Sequence, residues 1–320
     1  MGKRVLITGV TGFVGSHILD VLMGDDSLSL VAACRSTNNL NPNFSGETRI
    51  GDLRDSDYIA SVVKDVDVVC HAAAWTSLWN HKQFSRENFL TPSLNIIEAA
   101  KKAGVKQFIF ASTTSAAAPD ISKDALAGGI HRKFWPHLCN VIAIENELRK
   151  SSSSSFSAVV LRLGIFTGKR YSLGMLPILL PRLKTHLVPW VAGGKTHVPL
   201  VDGQDIGQAF FRAVTHEGLF GYEAFNIVGQ EQPTAKELIG FIHSEFSYPK
   251  PHFSVPFGIA YAFAWLMEKI DPVVPWEPLV IRSIIHLLEE TGVDNKKAEL
   301  QLGYQPTVHW KDSVRAQIEE

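Results

Sequence analysis

Short continuous apolar runs alternate with longer stretches of helical spacing through the first half of the chain. RVLITG (4–9) is β-rich, and GFVGSHILDVLMG (12–24) repeats its apolar positions with a helical period. LSLVAACR (28–35), RIGDLRD (49–55), DVVCHAAA (67–74), VKQFIFAST (105–113) and SAVVLRLG (157–164) read as further strands or strand ends. FLTPSLNIIEAAKKAG (89–104) and CNVIAIENELRKS (139–151) read as helices between them. The strands are apolar throughout rather than alternating, so both faces of their sheet are expected to be covered. The pattern predicts an α/β protein: a Rossmann-type doubly wound parallel sheet with a smaller C-terminal substrate-binding domain.

After residue 165 prolines and longer loops break the rhythm, as in GMLPILLPRLKTHLVPWVAGG (174–194). AFNIVG (224–229) reads as one more strand, and TAKELIGFIHSEF (234–246) as a capped helix. The expected division is 1–165 plus the returning strand near 224–229 as the nucleotide-binding domain. Segments 166–223 and 230–320 form the substrate-binding region. VPFGIAYAFAWLM (255–267) is apolar but about thirteen residues long, too short for a membrane span, which needs roughly twenty. A buried helix is expected there.

Composition narrows the classes. The chain has 320 residues, 45% hydrophobic and 20% charged, enough for a substantial core. A net charge of −1 gives no field for nucleic acid or an anionic membrane. The cysteines, Cys34, Cys70 and Cys139, are separated and odd in number. That argues against a disulfide framework or a metal site and for a reducing, cytoplasmic setting. The apolar N-terminus carries Gly9, Gly12 and Gly15 and no clean cleavage site, so it does not read as a signal peptide.

Those glycines are the first chemical signal. TGVTGFVG (8–15) joins a strand to a helix, where one glycine makes the turn, one admits a pyrophosphate and one lets helix pack on strand. The expected dinucleotide contacts in this loop are Gly9, Thr11, Gly12, Phe13, Val14 and Gly15. An acidic residue at the end of the second strand selects NAD, whereas Arg accommodates the extra phosphate of NADP. Here Cys34 is followed by Arg35 and Ser36, which favours NADP(H) over NAD(H).

With TGVTGFVGSHI, GDLRD, VCHAAA, NFLTPSLNIIEAA, VKQFIFASTTSA, LRLGIFTG, FNIVG and KKAELQLGYQP in view, the chain resembles the extended short-chain dehydrogenases/reductases. This is the NAD-dependent epimerase/dehydratase superfamily, and the likeness is to its 3β-hydroxysteroid dehydrogenase and dihydroflavonol reductase-like branch. The resemblance covers nearly the whole length. It implies that Asp52 and Leu53 flank the adenine and that Ala72, Ala73 and Ala74 line the ribose path. It also implies a structural role for Asn88, and puts Arg162, Leu163 and Gly164 near the nicotinamide end. Thr113 matches the family's substrate-binding Ser/Thr. A homodimer through the helices matching 84–103 and 139–150 is a further implication.

The family's acid is a Tyr with a Lys four residues later, whose ammonium lowers the phenol pKa across one helical turn. PHLCNVIAIENE (136–147) has Cys139 and Ala143 at those positions, and none of the six tyrosines has a Lys at the same spacing. Cys139 and His137 are the replacement donors weighed from position, the imidazole titrating in the useful range. Three readings stay open. One is an NADP(H)-dependent oxidoreductase with a substituted acid, acting on a small hydrophobic carbonyl or alcohol. Another is a non-redox isomerase, cyclase or lyase on the same scaffold, whose apolar substrate would suit VPFGIAYAFAWLM and PVVPWEPLVI (272–281). The third is a catalytically inactive NADP(H) sensor.

Overall fold

A computed structural model of the chain describes residues 2–273, 278 and 280–320. Seven strands form its main sheet: β1 (Lys3–Thr8), β2 (Leu28–Cys34), β3 (Glu47–Ile50), β4 (Val68–His71), β5 (Gln107–Thr113), β6 (Ser157–Leu163) and, after three short strands, β10 (Tyr222–Ile227). The short strands are β7 (Ile165–Thr167), β8 (Trp190–Val191) and β9 (Leu200–Asp202), with β11 (Ser254–Val255) following β10. The main sheet runs β10-β6-β5-β4-β1-β2-β3, and every neighbour is parallel. The chain winds outward from β1 to β3, then returns to the other side of β1 with β4. That reversal opens a crevice at the carboxyl ends of β1 and β4, the place where such sheets bind ligands.

Parallel neighbours cannot be joined by a tight turn, so each needs a crossover. The helices are α1 (Phe13–Leu22), α2 (Ser56–Val62), α3 (Lys82–Ser85), α4 (Thr91–Lys102), α5 (Pro136–Ser151), α6 (Met175–Leu183) and α7 (Gly203–Thr215). They continue with α8 (Ala235–Phe246), α9 (Phe257–Ile270), α10 (Arg282–His286), α11 (Lys296–Leu302) and α12 (Trp310–Ile318). Val5 and Ile7 of β1 face α1, α7 and α11, whereas Leu6 faces α2, α4 and α5. Fully burying each of Phe108, Phe110, Phe210 and Phe225 contributes about 1.5–3 kcal/mol.

α7 falls in segment 166–223, which the sequence pattern assigns to the second region, yet it packs on α1 as cover for the sheet. The crossover from β6 to β10 requires a helix there. Gly203 and Gly207 let the two helices touch; a Cβ on Gly207 would lie 2.4 Å from the His17 carbonyl oxygen. The remaining C-terminal pieces gather around Leu176, Leu200, Leu238, Phe241 and Val314.

α8 starts at a capping box, with Thr234 and Glu237 satisfying each other's backbone N–H groups. α9 differs from the buried helix expected of 255–267. Ala260, Ala264 and Met267 face inward, where small side chains let the helix lie close to its support. Ile259, Phe263, Trp265 and Leu266 face outward. Residues 274–277 and 279, within the apolar run 272–281, lie outside the described residues. No helix among the described residues is long and apolar enough to cross a membrane.

Candidate active site

The β1–α1 turn lies in the sheet's crevice. Gly9 takes a φ of +68°, a conformation that costs a residue with a Cβ, and its N–H and carbonyl neighbours leave no room. A Cβ on Gly9 would stand 2.7 Å from the Ala73 backbone, so the turn is pressed against the strand-end segment Ala72–Ala74. A Cβ on Gly15 would stand 2.1 Å from the Gly9 carbonyl oxygen. Gly12 is exposed and occupies the N-cap of α1, where no side chain satisfies the first turn. The N–H groups of Phe13 and Val14 therefore point along the axis with the positive end of the helix behind them. An uncapped helix end inside a glycine cradle fits a dinucleotide pyrophosphate. Thr11 is half-buried beside it.

A buried chain of hydrogen bonds supports this turn. Thr8 Oγ1 lies 2.8 Å from His71 Nδ1, and His71 Nε2 lies 3.0 Å from Ser93 Oγ. The Ala73 N–H donates to Thr8 Oγ1 at 3.4 Å. Burial pulls the His71 pKa down to about 4, so the ring is neutral at pH 7 and works as a fixed strut. On the other side, Phe13 packs against Phe166 and Tyr171, with ring centroids 5.6 Å and 4.5 Å away. Burial pushes the Tyr171 phenol up to about 12.

The end of β2 carries Arg35 and Ser36 into solvent. The Gly51 N–H donates to the Cys34 carbonyl at 3.0 Å, which brings Asp52 and Leu53 alongside. The Asp52 carboxylate is held by Arg54 at 2.6 Å, and this pairing lowers its pKa. Leu53 leans on the core beneath. Asn88 donates to the Phe84 carbonyl at 2.9 Å and accepts from Arg54 at 3.3 Å, bracing the π-helical turn Arg86–Leu90.

Thr113 ends β5, and its Oγ1 accepts the Ser115 N–H at 3.2 Å. Among the described residues its own hydroxyl hydrogen has no acceptor. Three residues on, Ala116 packs with Leu78, Phe134, Trp135, Leu138 and Ile142 in one apolar cluster.

The two replacement donors weighed from the sequence have different surroundings. Cys139 Sγ donates to the Arg132 carbonyl at 3.3 Å, and burial raises its pKa. His137 lies tilted against Phe89, ring centroids 4.9 Å apart, and burial pulls its pKa down to about 4. It carries no positive charge at pH 7. Two residues from Cys139 on a helix is about 200° around the axis, which takes His137 away from the face shared by Cys139 and Ala143.

Arg162 stands near the carboxyl end of β6, opposite Ser112 of β5. It is fully buried and forms a two-point pair with Glu145 of α5, at 3.0 and 2.6 Å. Ser112 adds a third bond to Glu145 at 2.5 Å, and Ala127 accepts from Arg162 at 2.9 Å. This group locks α5 to β5 and β6. The Leu163 side chain is buried, and a Cβ on Gly164 would lie 2.2 Å from the Pro199 carbonyl oxygen, so the backbone packs closely where β6 ends.

Residues 5–228 match the model of the NAD dependent epimerase/dehydratase family. The chain belongs to that family. It is 22% identical over 328 residues to the sterol-4-alpha-carboxylate 3-dehydrogenase, decarboxylating, of Dictyostelium discoideum, covering 98% of this chain and 99% of the relative. It is 25% identical over 336 residues to a putative dihydroflavonol 4-reductase of Synechocystis, covering 95% and 90%. Among solved structures, MoeE5 in complex with UDP-glucuronic acid and NAD matches with a TM-score of 0.72 at 18% identity, over 99% of this chain and 98% of that one. The Rossmann-type fold is shared across this group.

One cluster escaped the sequence reading. His286 and Glu289 come from the C-terminal region to the end of β5. His286 Nδ1 lies 2.7 Å from Glu289 Oε2, and Nε2 lies 3.4 Å from the Ser115 carbonyl oxygen. The signal available was a His and a Glu three apart in HLLE (286–289), too common a spacing to single out.

Proposed function

We propose that this protein is an NAD(P)H-dependent oxidoreductase with NADP(H) favoured, acting on a small, largely hydrophobic carbonyl or alcohol. The observation that carries the reading is the glycine turn at Gly9–Gly15, held against Ala72–Ala74 at an uncapped helix end. Gly9, Gly12 and Gly15 leave room for a pyrophosphate, and the first N–H groups of α1 bind it. Arg35 and Ser36 support the NADP preference. They stand exposed at the end of β2, while Asp52 is already engaged by Arg54. The nicotinamide cofactor supplies hydride chemistry when bound.

The chain's own residues orient and polarise. Thr113 keeps a free hydroxyl hydrogen to donate to the substrate oxygen. The apolar cluster from Leu78 to Ile142 excludes water and selects a hydrophobic body. With Cys139 and Ala143 at the family's Tyr and Lys positions, the proton comes from another group, at a cost of up to about 10²–10⁴-fold in rate if none is supplied.

The test is NADPH and NADH oxidation by a panel of hydrophobic aldehydes and ketones. NADPH-dependent reduction of at least one is expected. Tight binding of NADPH with no oxidation by any member would replace the enzyme reading with that of a nucleotide-sensing protein. Product formation without change in nicotinamide absorbance would replace it with a non-redox lyase or isomerase.

A further inference from the structure

We propose that His286, backed by Glu289, is the proton donor of this site. The inference rests on the oxidoreductase reading and names the group that reading lacks. The helix α10 reaches the end of β5 through three anchors. Ser283 Oγ donates to the Leu78 carbonyl at 2.5 Å. Arg282 pairs with Glu268 of α9 at 2.6 Å and covers the Phe134 ring at 4.5 Å. The His286 ring stands edge-on to Trp135 at 6.0 Å.

These contacts bury His286 to 5% exposure and hold both ring nitrogens against acceptors. Nδ1 faces Glu289, and Nε2 faces the Ser115 carbonyl. Ser115 is also the residue whose N–H fixes Thr113 Oγ1. His286 and the substrate-orienting hydroxyl thus meet on one residue. The Nε2 contact is long, 3.4 Å, and so weak enough for a substrate oxygen to take its place.

The charged groups facing the imidazole are Glu289 and, behind it, Arg132. Arg132 donates to Glu289 Oε2 at 2.8 Å, and its carbonyl takes the Cys139 thiol. The residue that stands at the family's Tyr position therefore helps to fix the loop that holds Glu289. Arg282, on the same helix as His286, is turned away to Glu268.

The step balances without another reagent. A bound dihydronicotinamide would supply the hydride to the carbonyl carbon, with the C=O π pair moving onto oxygen. That oxygen takes the proton from His286 Nε2, leaving alcohol, oxidised nicotinamide and a neutral imidazole that water reprotonates.

The test uses the full chain with NADPH and acetophenone, benzaldehyde and decanal as probes, comparing wild type, His286→Gln, Glu289→Gln and the surface control His243→Gln. His286→Gln should lower kcat about 10²–10⁴-fold, with NADPH affinity kept. Glu289→Gln should lower kcat by a smaller factor with KM for the ketone unchanged, because the ring loses the carboxylate that holds its Nδ1 side. A readout free of turnover is the side-chain ¹⁵N spectrum of His286 in the dead-end complex with NADP⁺ and acetophenone, where its resonance should shift on ketone addition.

A folded His286→Gln variant that keeps wild-type turnover would overturn the proposal. So would an unchanged kcat in Glu289→Gln, or a His286 resonance indifferent to the ketone. No hydride transfer by wild type to any probe would sink the oxidoreductase reading itself, and the proposal with it.

Discussion

At the scale of single residues, the cofactor cradle depends on atoms that are missing. Gly9→Ala adds a Cβ at positive φ, 2.7 Å from the Ala73 backbone. The Gly9→Ala protein is expected to lose at least tenfold in nucleotide affinity and about 1–3 kcal/mol in stability. Nucleotide fluorescence and urea unfolding would check this. His71 sets a pH dependence with a definite sign. Its folded pKa, about 4, lies below the unfolded value near 6.5. Above pH 6.5 both states hold the ring neutral and it contributes no pH dependence. As pH falls from 6.5 to 4 the unfolded chain takes a proton that the folded one refuses, so stability declines, by up to about 3 kcal/mol. His71→Gln should flatten that decline; an unchanged acid limb in thermal unfolding would contradict the buried neutral strut.

At the scale of elements, the join between α5, β5 and β6 is ionic and buried. Glu145, Arg162 and Ser112 meet behind the site, and removing one partner leaves an unpaired charge. Glu145→Gln is expected to cost about 3–5 kcal/mol in chemical unfolding, with loss of activity following loss of fold. A nearly neutral substitution would mean the pair is dispensable to the α5 position. The parallel strands were legible in the sequence because they are apolar on both faces, and α1 because of its glycines. α8 was legible from its capping box.

Other elements gave weaker signals. α12 is capped by His309, whose ring accepts the Lys311 N–H, a residue outside the usual capping set. The outward face of α9 was not legible either. Its apolar positions predict burial, and the side that is buried is chosen by small Ala260 and Ala264 rather than by the large residues. The His286 contact and the Glu145–Arg162 pair left no sign in the sequence, because their partners lie on other elements and pairing across elements leaves no periodic trace.

At the scale of the whole molecule, one sheet reversal organises the site. β1 and β4 part at their carboxyl ends, and the turn after β1, the alanines after β4, Arg35 after β2 and Thr113 after β5 all gather on that edge. The C-terminal region reaches the same edge through α10. This arrangement predicts that Arg35→Glu weakens NADPH binding about ten- to hundredfold, the worth of a charge-assisted phosphate contact, while leaving NADH binding little changed. Equal loss of both would show that Arg35 supports the fold or the general field rather than the extra phosphate.

On the proposed function, the β1–α1 cradle holds a phosphorylated nicotinamide dinucleotide. Parallel titration of the purified chain with NADPH and NADH, read by nucleotide fluorescence, tests it most directly. Both nucleotides should bind saturably, NADPH more tightly, and Gly9→Ala should weaken both at least tenfold. Binding of neither by the folded wild-type chain would contradict it.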